Sequence, residues 1–180
     1  MPAQVYHHNW QMEAVGHHLG EVAAGRCKRL LITLPPRSLK SLSASIALPA
    51  WLLGRDPHRR IVCVSYAQDL TIAHANSFRA IVNANWYRQL FPSMRIDPRK
   101  DTETEVRTTL GGYRLSTTVG GSLPGRGGSL IIIDDPMKAA DAHSEAARAR
   151  VNTWFDETAV APRRQEERCQ YSGHAAPACR

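Results

Sequence analysis

At 180 residues, with 43% apolar side chains, the chain has material for one hydrophobic core and reads as a single domain. Its 23 Lys and Arg against 16 Asp and Glu, formally +7, suit a polyanion partner such as DNA and equally a moderately basic enzyme, so charge does not choose between them. Apolar runs of strand length exclude a spanning helix, and no charged-then-apolar leader is read; Cys27, Cys63, Cys169 and Cys179 form no C-x-x-C pair, against a disulfide or metal scaffold, so a cytoplasmic protein in a reducing compartment is expected.

In chain order, residues 5–24 carry apolar positions close to a helical period, with Gly25 as the stop. The neighbouring pairs His7-His8 and His17-His18 point to different helix faces and are expected to be solvated. Next, Leu30, Leu31, Ile32 and Leu34 predict a buried strand, followed by a tight loop and a helix opening at Lys40-Ser41. Such a junction offers unpaired N–H groups and the positive end of a helix dipole to an anion. Pro36, Arg37, Ser38, Leu39, Lys40 and Ser41 are therefore the candidate phosphate loop. Lys40 would supply a charge to phosphate and Ser41 a hydroxyl to Mg²⁺. Aligned on G-x-x-x-x-G-K-[ST], both glycine positions hold leucine, Leu34 and Leu39, which implies a differently shaped loop because a Cβ obstructs backbone approach to phosphate.

Residues 41–53 predict a helix, bent near Ile46 to Trp51 by Pro49 and stopped by Gly54, before an exposed basic turn at Arg55, Arg59 and Arg60. A strand is expected at Ile61 to Ser65. A helix follows at Gln68 to Val82, with Leu70, Ala73, Phe78, Ile81 and Val82 on one side, then a short helix from Trp86 to Phe91. Residues 93–103 read as a polar surface excursion. Glu105 to Leu110 and Tyr113 to Val119, joined by Gly111-Gly112, read as a β-hairpin. A glycine-rich loop over 120–128, whose one charge is Arg126, leads to the apolar strand Leu130 to Ile133 and two carboxylates, Asp134 and Asp135. Residues 144–158 predict a helix with Ala147, Val151, Trp154 and Phe155 on one face. Residues 161–180 show no periodicity and predict a loosely attached tail.

The segments L-P-P-R-S-L-K-S, P-A-W-L-L-G-R-D-P-H-R-R-I-V-C-V-S-Y-A-Q-D-L and G-G-S-L-P-G-R-G-G-S-L-I-I-I-D-D-P-M-K, in this order, resemble the ATPase domain of the large terminase subunit of tailed bacteriophages and prophages. The likeness covers roughly residues 5–158; Leu39 stands where that family more often has glycine. It implies an α/β fold of the P-loop NTPase (ASCE) type, a mostly parallel sheet flanked by helices with a β-hairpin insertion. The implied cofactors are ATP and Mg²⁺. The implied partners are double-stranded DNA, a portal protein, a small terminase subunit and further copies of the chain in a ring; no membrane is implied.

The resemblance also implies roles. Lys40 and Ser41 would serve the phosphates and the metal, Asp134 would hold the metal, and Asp135 would orient the attacking water, unless the base lies elsewhere, for instance at Glu145. Trp10 and Gln11 are candidates for stacking on and bonding to adenine; alternatively Trp10 is core and Gln11 surface. Arg37 either reaches the γ-phosphate of its own site or holds the loop by its carbonyls. Arg126 either enters a neighbour's site or is a surface turn residue. The family continues with a further core strand and a nuclease domain where residues 161–180 stand, so those residues read as an out-of-frame or variable tail. The competing reading is a non-catalytic remnant that binds nucleotide or DNA weakly. A small-molecule kinase is the third, but no lid or acceptor pocket is read.

Overall fold

A central strand buried on both faces organises the chain in a computed structural model that describes residues 8–35, 38–121 and 128–160, apart from the side chains of 158–160. Strand β1 (Arg60–Ser65) sends Ile61 and Cys63 into one apolar cluster and Val62 and Val64 into another. It pairs in parallel with β4 (Tyr113–Thr118) on one side and β5 (Leu130–Ile133) on the other. Strands β2 (Ile96–Asp101) and β3 (Glu105–Thr108) extend the sheet antiparallel beyond β4, giving the order β2-β3-β4-β1-β5. The fold is therefore α/β with an open five-stranded sheet, mixed and not mostly parallel as expected. The reason is that the β3–β4 hairpin and β2 enter the sheet itself and do not stand apart as an insertion.

Helices cover both faces. On the first face lie α2 (Leu48–Arg55), α3 (Gln68–Val82) and α4 (Asn85–Leu90), burying Leu52, Leu53, Phe78, Val82 and Tyr87. Helix α1 (Trp10–Ala23) leans on this cluster through Leu19 and Ala23, and Asn9 caps it by accepting from the Met12 N–H. Gly25, at φ 75°, ends it as expected. On the second face α5 (Glu145–Trp154) packs Trp154 against Val62, Val64 and Tyr113, with the Ser144 hydroxyl accepting from the Ala147 N–H at its start.

Five expectations need correction. Residues 30–34 join no strand pairing in the described sheet and Leu31 is 87% exposed, so apolar composition alone did not make a buried strand there; tertiary context overrides strand propensity. Gly54 does not stop its helix but lies buried inside α2, where an added Cβ would fall 2.6 Å from the Phe91 ring. The inner face of α3 is Thr71, Ala75, Phe78 and Val82, while Ala73 is exposed. Residues 96–101, expected as a surface excursion, form edge strand β2, where Pro98 is tolerated because one side needs no ladder hydrogen bond. In α5, Phe155 is exposed and lies past the last α-helical residue, at the start of a π-helical turn.

The hairpin, β1, β5, α3 and the Pro49 distortion are all found near their expected places. Pro49 has no N–H for the Ser45 carbonyl, and the turn before it is a π-helical segment, Leu42–Ala47, whose Leu48 N–H reaches back to the Ser43 carbonyl. Arg55, Arg59 and Arg60 surround the turn before β1, where Arg59 lies 3.6 Å from the Asp56 carboxylate. Among the described residues no helix is long and apolar enough to cross a membrane. Cys27 and Cys63 are free thiols; Cys169 and Cys179, with the rest of the 161–180 tail, lie outside the described residues.

Candidate functional site

Where β1 and β5 end, backbone bonds continue briefly: the Asp134 N–H donates to the Val64 carbonyl and the Tyr66 N–H to the Asp135 carbonyl. This register delivers both carboxylates to the C-terminal edge of the parallel strands, where ligands of open α/β sheets bind. The helix that starts at Lys40 approaches the same edge from the first face. Lys40 Nζ donates to Asp135 Oδ1 at 2.6 Å and lies 3.3 Å from Asp134 Oδ1. Residues 95 apart in sequence thus meet in one ion-paired cluster.

The two carboxylates differ in setting. Asp134 is buried and also accepts a hydrogen bond from Ser45 Oγ at 2.9 Å, whereas Asp135 is half in solvent. Burial works against the charge on Lys40, but the hydrogen bond to Asp135 and the charge of Asp134 outweigh it and hold the ammonium above its usual range. Nearby on α3, half-buried His74 is pushed below its ordinary value, first by burial; the Asp134 charge opposes that shift and Arg114 adds to it.

The loop carries strain at the position flagged by its missing glycine. Leu39 sits at φ 56°, a left-handed conformation that glycine adopts freely, and Asp135 sits at φ 48°. Aspartate tolerates that region better than leucine does. Leu39 is 39% exposed, so removing its side chain sacrifices little burial. Leu39→Gly should therefore leave the fold intact and raise stability by about 0.5–1 kcal/mol, the steric relief exceeding the added entropy of the unfolded chain. A urea titration checks this, and a lower midpoint would contradict it.

Of the expected site residues, Lys40, Asp134 and Asp135 converge. Ser38 and Ser41 are partly buried on either side of the Lys40 turn, and Leu39 lies between them. Trp10 is 75% exposed and is not a core residue, while Gln11 is partly buried; both lie in the first turn of α1. Glu145 is exposed at the start of α5. Pro36, Arg37 and Arg126 lie outside the described residues. Sequence reading missed Ser45, whose hydroxyl touches Asp134, and Arg114, which is buried behind it. Spacing offered a signal for the first, since Ser45 lies one helical turn beyond Ser41 on the same face.

The oxygen donors assembled here suit a hard divalent cation. Among the described residues no group of three or more His, Cys, Asp or Glu side chains could hold a metal alone. Mg²⁺ is ordinarily held through one or two carboxylates together with substrate phosphates and water. Asp135 is half in solvent, while the Lys40 side chain beside it is mostly buried. In comparisons with known proteins, no family model and no curated protein matches the chain.

Proposed function

We propose that this chain is a P-loop ATPase domain of the ASCE type, the motor half of a phage or prophage large terminase. In that reading it hydrolyses ATP with Mg²⁺ to move double-stranded DNA into a procapsid, working as a ring with a portal protein and a small terminase subunit. One observation carries the proposal: a lysine opening a helix lies within hydrogen-bond distance of a carboxylate from the Asp-Asp pair at the end of an apolar parallel strand. The net charge of +7 fits a DNA partner without requiring one.

In hydrolysis the protein's task is to position groups and neutralise charge on phosphate. Lys40 would turn from the carboxylates to the β- and γ-phosphates, and the N–H groups of the first helical turn would face the same oxygens. Asp134, already fixed by Ser45, would hold Mg²⁺ with Ser41, and Asp135 would orient the attacking water. A bound Mg²⁺ supplies neutralisation of the phosphate charge. Arg37 and Arg126 remain candidates for the charge that develops on the γ-phosphoryl group, and Trp10 with Gln11 for the adenine.

A second reading, a remnant that binds nucleotide or DNA without turnover, draws on specific features. The apolar run at 30–34 is outside the described sheet, and Leu39 occupies the loop position that favours glycine. Thermal unfolding of the full chain with and without Mg²⁺-ATPγS tests for the site. Ligand at a hundred times its Kd should add about 2.7 kcal/mol, or roughly 5–10 °C for a domain of this size. A shift accompanied by ATP hydrolysis supports the motor reading, and a shift without it supports the remnant. A cooperative melt that ATPγS leaves unmoved overturns both nucleotide readings.

A further inference from the structure

Arg114 is a cation almost fully withdrawn from water, at 1% exposure on the inner face of β4. Its Nη1 donates to Ser116 Oγ at 2.6 Å, its Nη2 donates to the Ser45 carbonyl at 3.1 Å, and its guanidinium lies over the Phe78 ring at 5.3 Å. Nε has no hydrogen-bond partner, and among the described residues no carboxylate lies within ion-pairing distance of this group. Burying a charge on such terms costs several kcal/mol, so an apolar side chain would fill this space at less expense. The charge needs a use.

The Ser45 carbonyl indicates the use. It is buried, and Pro49, four residues on, has no N–H to give it; Arg114 supplies a strong donor from β4, beside the weak one of the Cys63 thiol. The hydroxyl of the same Ser45 donates to Asp134 Oδ2, while Asp134 Oδ1 faces Lys40. One chain of contacts therefore runs from Arg114 through Ser45 to Asp134. The Cys63 thiol lies against the same backbone, its Sγ 3.9 Å from the Ser45 carbonyl oxygen.

We propose that Arg114 is a positioning residue for Asp134, fixing the Ser45 backbone so that the Ser45 hydroxyl keeps the carboxylate aimed when Lys40 turns away. The last clause rests on the nucleotide reading; the coupling itself does not. Urea unfolding of Arg114→Met, Asp134→Asn and their double variant, each also made with Ser45→Ala, tests the coupling without any ligand. In the parent background the double variant should depart about tenfold from the product of the single effects on the unfolding constant. With Ser45→Ala the departure should fall below about threefold. Effects that multiply in both backgrounds would reduce Arg114 to a space-filler, and coupling that survives Ser45→Ala would make it direct charge attraction; either overturns the proposal. Should Arg114→Met not fold, Arg114→Lys is read the same way.

A second arm follows the Mg²⁺ concentration giving half of the ATPγS-induced thermal shift. It should rise about tenfold in the Arg114 variant, because a loosely held carboxylate binds the metal less well. An unchanged value overturns the proposal. No shift in the parent ends the nucleotide reading instead, and the urea cycle then decides on Arg114 alone.

Discussion

On the nucleotide reading proposed above, Lys40→Ala should remove about half or more of the thermal stabilisation by Mg²⁺-ATPγS. Charge-assisted bonds from a lysine to phosphate contribute about 1.5–3 kcal/mol, so the Kd should rise roughly ten- to a hundredfold. At a ligand concentration a hundred times the parent Kd, a hundredfold weaker site retains only about 0.4 kcal/mol of the shift. The unliganded variant should also be less stable. Lys40 lies between two carboxylates, one of them buried, and its loss leaves Asp134 with Ser45 alone. With Lys40 about a quarter exposed, solvent screening limits that loss to about 1–2 kcal/mol.

This second effect has a sign in pH. The folded-state value of Lys40 is raised, so its contribution is fully present below the unfolded lysine value of about 10.4 and disappears as pH climbs through the higher folded value. The stability gap between parent and Lys40→Ala, from urea titrations, should thus be constant from about pH 7 to 9 and close only above the unfolded lysine value of about 10.4. A variant that keeps the full ATPγS shift would remove Lys40 from any phosphate role. A gap insensitive to alkaline pH would mean that its carboxylate contacts contribute nothing to the fold.

What the sequence made readable follows from where local and tertiary rules agree. Strand β1 and helix α3 were found near their expected bounds because the first is a short unbroken apolar run and the second carries a helical period, each between clear turn residues. Gly111-Gly112 identified the hairpin because only glycine meets both its needs: Gly111 has φ 87°, and Gly112 lies against the backbone of residues 57–59. The pairing of Lys40 with the Asp-Asp strand end was anticipated from motif order, but the contact itself is a property of the sheet register. Residues 30–34 show the opposite case, since five mostly apolar residues specify burial only if another layer covers them, and Leu31 faces solvent. Ser45 and Arg114 were hidden for a related reason. An arginine in an alternating strand reads as a surface residue, and nothing local reveals that the carbonyl it serves was vacated by Pro49 on another element.

Gly112→Ala should be the most damaging single-methyl change in the described chain, costing about 3 kcal/mol or more and placing the variant near its unfolding threshold at 37 °C. A Cβ there would lie 2.2 Å from the Pro57 carbonyl oxygen and 2.5 Å from that of Arg59, both backbone atoms that no rotamer change can move aside. The same turn is bonded through the Gly112 N–H to Pro57 and the Tyr113 N–H to Arg59, so the hairpin cannot retreat without breaking the start of the β1–β4 ladder. Gly111→Ala provides the comparison: open space surrounds that position, and only its left-handed backbone is penalised, by about 1 kcal/mol. Urea midpoints should therefore fall far more for residue 112 than for its neighbour, and equal losses would contradict the close approach. The consequence reaches the site, because Arg114 follows Gly112 by two residues and meets Ser45 only while β4 stays in register with β1. In any fraction of Gly112→Ala that remains folded, the Mg²⁺-dependent part of ATPγS stabilisation should weaken along with stability. In Gly111→Ala, which leaves β4 in place, it should persist.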